Sequence, residues 1–130
     1  MPHFGAQSMT NLAGCDVRLQ RLFNEVVKHW DCTVTCGFRG EAAQHEAFVT
    51  GKSKLDWPNG NHNKMPSYAV DVAPFPVDYN DVNRIRVFAG FVLGVASQMN
   101  LNIRWGGDWN QNTEVKDNTF NDLVHFEIKD

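Results

Sequence analysis

No run of apolar residues approaches the ~18 needed to cross a membrane. The most apolar stretch, residues 87–96, is short and follows Arg84 and Arg86. Positive charge is not in excess either: 12 Lys+Arg face 15 Asp+Glu, for a net charge of -3. That argues against nucleic-acid binding through a basic face, and against a polybasic membrane anchor or other stable membrane association. The three cysteines are an odd number, which excludes a full disulfide framework. Cys32 and Cys36 are spaced C-x3-C rather than C-x-x-C, so reduced, mostly buried thiols are expected. The opening Met1-Pro2-His3-Phe4-Gly5 lacks the basic and apolar segments of a secretory signal, and a chain made in the cytosol is expected. The motifs G-x-x-x-x-G-K-[ST], G-x-G-x-x-G, G-x-S-x-G and H-E-x-x-H are all missing. Nucleotide and serine-hydrolase chemistry therefore have no support.

What is present suits a single domain over residues 1–130. The 42% hydrophobic and 21% charged content is ordinary for a globular protein, and a chain of this length buries a core without disulfides. Residues 1–14, rich in Gly, Ser, Asn and Thr, are expected to form a loosely ordered arm. Leu19, Leu22, Phe23, Val26, Val27 and Trp30 recur at three- and four-residue spacing, which predicts a helix over 16–30 with Asp16 as N-cap. Cys32-Thr33-Val34-Thr35-Cys36 reads as a strand. A short helix is expected over 41–50, with Gly51 at its C′ position. Residues 52–67 form a long Gly/Pro/Asn/Lys-rich loop, of a kind that is usually functional or disordered in compact domains. A strand over 68–73, a helix over 81–99, a strand over 102–105, a polar loop over 106–121 and an alternating strand over 123–128 follow. Helices combined with hairpin-type strands predict an α+β fold: a small antiparallel sheet packed against helices.

Few residues offer chemistry. Asp71 lies inside the apolar run Ala69-Val70-Asp71-Val72-Ala73, where an unpaired buried carboxylate is costly. Either it occupies the exposed face of an edge strand or a cation holds it. His125, in Val124-His125-Phe126, poses the same question, and a structural role is the ordinary one for a lone strand histidine. His62 lies in the long loop, where a solvated side chain is the plain expectation. Together, two His and one Asp would leave one position of a tetrahedral site for water, as a catalytic zinc requires. Asp122 and Glu127 flank His125 and suit a base or a supporting role.

Longer segments carry a resemblance. His62-Asn63-Lys64-Met65-Pro66-Ser67-Tyr68-Ala69-Val70-Asp71-Val72-Ala73-Pro74 resembles the first metal motif of the zinc peptidases related to D-alanyl-D-alanine carboxypeptidases. Asn121-Asp122-Leu123-Val124-His125-Phe126-Glu127 resembles their second motif, Asp-x-x-His-x-Glu. Gly37-Phe38-Arg39 resembles the Gly-x-Arg segment, and Trp105-Gly106-Gly107-Asp108-Trp109 the glycine-tryptophan loop. Within that superfamily the chain most resembles the phage L-alanyl-D-glutamate endopeptidases, which are endolysins. It departs from the common pattern in having eight residues between His62 and Asp71, Gly60 in place of a Ser, and Ser67 in place of a Gly.

The resemblance implies the zinc D-Ala-D-Ala peptidase/hedgehog-like fold and one Zn2+ per chain, bound by His62, Asp71 and His125. It implies Asp122 as general acid/base and Arg39 as the group that orients substrate or stabilises an oxyanion. Trp105, Trp109, Ser67 and Gln44 would line the substrate cleft. The substrate would be the peptidoglycan stem peptide, cut at L-Ala–D-Glu by a monomer. The enzyme would reach the periplasm after a separate protein has permeabilised the membrane. A D-Ala-specific carboxypeptidase of the same superfamily, or a non-catalytic wall-binding module on the same fold, are the alternatives.

Overall fold

The computed structural model describes residues 2–130. Four strands form one antiparallel sheet in the order β1-β2-β4-β3. They are β1 (Cys32–Cys36), β2 (Ala69–Pro74), β3 (Ile103–Gly106) and β4 (Asp122–Ile128). Helices α2 (Val17–His29) and α4 (Val82–Gln98) supply the apolar stripes that cover one face. Leu19, Leu22, Phe23 and Val26 of α2 and Phe88, Ala89 and Val92 of α4 are fully buried. They meet Val34, Val70, Val72 and Phe126 of the sheet, and the rings of Phe23 and Phe126 pack edge to face at 5.4 Å. Asp16 caps α2 by accepting from the Arg18 amide at 2.9 Å, and Asp81 caps α4 by accepting from that of Arg84. Helix α3 (Glu41–Val49) ends at Thr50, and Gly51 follows it at φ 82°, the left-handed geometry expected of a C′ glycine.

One expectation is corrected, and one of the two alternatives for Asp71 is excluded. Residues 6–13 belong to no loose arm: Ala6–Ala13 is a helix, α1. Its composition misleads because its polar side chains serve the edge strand. Ser8 Oγ accepts from the Val34 amide at 3.0 Å, and Asn11 Nδ2 donates to the Val34 carbonyl at 2.8 Å. The exposed edge of β1 is thereby covered. Gly37 permits this close approach, since a Cβ there would collide with the Asn11 carbonyl. Asp71, for its part, does not lie on an edge strand: β2 is internal, flanked by β1 and β4.

Candidate active site

The sheet register assembles the site. Asp71 on β2 pairs with Cys36 on β1 and with His125 on β4, so three side chains stand in a row across adjacent strands. Strict alternation would place Cys36 with Val34 on the core face. A bulge between Val34 and Cys36 turns it to the face of Asp71 instead. His62 arrives from the long loop, on a single 3-10 turn (Asn61–Asn63).

The resulting cluster is tight. His62 Nε2 lies 3.2 Å from Asp71 Oδ1 and 3.2 Å from His125 Nδ1, and His125 Nδ1 lies 3.4 Å from Asp71 Oδ1. The opposite ring nitrogens are already committed. His62 Nδ1 donates to the Gly37 carbonyl at 2.7 Å, and His125 Nε2 to Glu127 Oε1 at 2.7 Å. In the neutral rings those bonds set the tautomers and turn the other two ring nitrogens, with a carboxylate oxygen, toward one point. Glu127 is held in turn by Arg104, whose Nε and Nη2 reach its Oε2 at 3.0 and 2.6 Å. Asp122 Oδ2 stands 3.7 Å from His125 Nδ1, at the open side. Arg39 Nη2 lies 3.5 Å from Asp71 Oδ2, and its Nη1 donates to Gln44 Oε1 at 3.1 Å.

The electrostatics describe a centre that calls for positive charge. Burial disfavours the imidazolium of His62, yet the adjacent Asp71 raises its pKa to about 10. Burial is likewise outweighed at His125, which Asp71 and Glu127 raise to about 8. Burial pushes the Asp71 carboxyl up, but the two imidazoles hold it far below the usual carboxylate range. Burial, and then the charge of Asp71, raises the pKa of Asp122. Asp71, Asp122 and His125 form one group of donor atoms spaced to hold a metal ion, and Cys36, His62 and Asp71 form another. Two imidazole nitrogens and one carboxylate, each oriented from behind, are a donor set that fits zinc with a position left over.

The cluster opens into a cleft of about 410 Å³. Arg39, Gln44, Trp109 and Asp122 line it. Trp109 stands beside the His125 ring at 5.3 Å, its indole nitrogen donating to the Phe120 carbonyl. Ser67 and Trp105 do not line the cleft. Ser67 is buried, accepting from the Ala69 amide and donating to its carbonyl, and it bridges to Cys15. Trp105 belongs to the core, where its Nε1 donates to the Leu123 carbonyl at 2.7 Å. Its strand register explains this, since Trp105 pairs with Phe126 on the helix-covered face.

Sequence reasoning did not reach Cys36, Asn63 or Arg104. Cys36 Sγ lies 3.9 Å from His62 Nδ1, but only the bulge puts it there. Asn63 donates to the Arg39 carbonyl and to Gln44 Oε1. Arg104 pairs in register with Glu127, and that signal exists only once β3 and β4 are aligned.

An antiparallel sheet carries helices on one face and, on the other, two imidazoles and a carboxylate beside an open cleft. The crystal structure of Serratia marcescens L-Ala D-Glu endopeptidase ChiX is similar, with a TM-score of 0.74 and 24% sequence identity. The match covers 97% of this chain and 89% of that one. No curated protein matches the chain. The chain belongs to the phage L-alanyl-D-glutamate peptidase family, whose model matches residues 2–129. It is a peptidase that acts on peptidoglycan.

Proposed function

We propose that the chain cuts the L-Ala–D-Glu bond of peptidoglycan stem peptides as a one-zinc endolysin, with His62, Asp71 and His125 as the metal ligands. One observation carries this reading: three donor atoms from two strands and a loop converge within 3.2–3.4 Å beside the carboxylate of Asp122. A bound zinc would supply a Lewis acid and would make water acidic enough to react near neutral pH.

The chain's own groups supply the rest. Asp122 Oδ2 takes a proton from the attacking water and returns it to the departing amine of D-Glu. Its raised pKa suits both halves of that task, since a strongly acidic carboxyl would not hold the proton. Arg39 keeps a permanent charge and a planar fork on the cleft wall, suited to a substrate carboxylate or a developing oxyanion. Asp71 and Gln44 fix that fork. Glu127 and Arg104 keep the ring of His125 in one orientation. Trp109 forms an apolar wall beside it.

The protein acts as a monomer in the periplasm, which it reaches once another protein has opened the membrane. No helix among the described residues is long and apolar enough to cross a membrane. The roles are tested by Asp122→Asn, which keeps shape and removes the base. The variant is expected to bind one zinc per chain and to lose at least a hundredfold in kcat. Wild-type kcat in the zinc-loaded variant would refute the assignment of Asp122.

A further inference from the structure

Four cations line the cleft: Arg39, Lys52, Lys54 and Arg104. Two are committed, Arg39 to Asp71 and Gln44, and Arg104 to Glu127. Lys52 and Lys54 have no carboxylate partner among the described residues; the lysine ion pairs there are Lys28 with Glu25 and Lys116 with Glu114. The backbone that presents them is nonetheless fixed. The buried Gln44 side chain donates to Ser53 Oγ and to the Leu55 carbonyl, and the Ser53 amide donates to the Ala47 carbonyl at 3.0 Å. Lys54 Nζ rests 5.2 Å from the centre of the Phe120 ring. Phe120 stacks on Trp109 at 6.2 Å, and Trp109 stands against His125. An aromatic wall therefore runs from the donor cluster to an unpaired ammonium.

Two cleft cations without carboxylate partners suit a ligand that brings negative charge into the cleft. A glutamyl residue joined to its neighbour through one carboxyl group keeps the other as a free carboxylate. We propose that Lys54, with Lys52 beside it, is a specificity subsite that binds a free carboxylate on the glutamyl side of the scissile bond. This rests on the L-Ala–D-Glu reading and deepens it: the enzyme selects acidic stems over stems whose glutamyl carboxylate has been converted to an amide. Arg39, already tied to Asp71, serves the reacting end, and the lysines serve the departing fragment.

The test uses the zinc-loaded full chain and two synthetic stem peptides that differ only in that glutamyl group, carboxylate against carboxamide. The wild type is expected to prefer the acid by about tenfold in kcat/KM, the scale of one charge-assisted contact. In K52Q/K54Q the preference collapses towards one, through KM rather than kcat, while K52R/K54R retains it. Thermal midpoints establish that the variants fold. Equal use of both peptides by the wild type, or an unchanged preference in K52Q/K54Q, would overturn the subsite and leave the bond assignment standing. Cleavage of neither peptide by the wild type would overturn the bond assignment, and the subsite with it.

Discussion

At the scale of single residues, the chemistry depends on groups that orient other groups. Glu127 is buried, and its bond to His125 Nε2 determines which nitrogen of that ring is free. Glu127→Gln keeps the size and removes the charge. It is expected to weaken zinc binding 10–100-fold, measured by competition with a chromophoric chelator. Unaltered affinity would mean that His125 is oriented by something else. The site residues divide by how they announce themselves in the sequence. Asp71 and His125 were legible because a charged or titratable side chain inside an apolar strand calls for a partner. His62 was legible only through the motif around it, since a loop histidine carries no such signal. Ser67 and Trp105 misled, because a hydroxyl and an indole are as useful to backbone and core as to a cleft.

Among elements, legibility followed the length of the apolar stripe. The stripes of α2 and α4 stand out because packing against a sheet requires one apolar face in 3.6-residue spacing. Helix α1 is short and its buried face offers only Ser8 and Leu12, while its N-cap, Gly5, makes no side-chain bond. Its stability comes from docking on β1. Ser8→Ala would leave the buried Val34 amide without an acceptor and should cost ~1–3 kcal/mol, read from denaturant unfolding. An effect below a few tenths would show that the α1 contact matters little. Acid should weaken α2 at its cap. The hydrogen bond from Arg18 holds the Asp16 carboxyl below its ordinary value. The cap is therefore fully formed above the unfolded pKa of ~3.9 and is lost as pH falls through the lower folded value. Asp16→Ala should be destabilised by ~1 kcal/mol at neutral pH, with the difference from wild type shrinking in acid.

Over the whole molecule, one sheet separates two environments. The helix-covered face holds Phe23, Phe88 and Phe126, and the opposite face holds Asp71, His125 and Glu127. Strand alternation on β4 made this division readable from the sequence. Strand order was not readable, because it depends on long-range pairing that brings β2 between β1 and β4. That same order places Cys36, Asp71 and His125 in one row, and it turns separate motifs into a single centre. The central claim is that this centre, loaded with zinc, cuts one bond in the stem peptide. Mass spectrometry of Gram-negative peptidoglycan incubated with the protein, with and without a zinc chelator, tests it most directly. Stem peptides that begin at D-Glu, released without chelator and absent with it, are the predicted result. Release that persists after zinc has been removed, or fragments that begin at any other residue, would contradict the account.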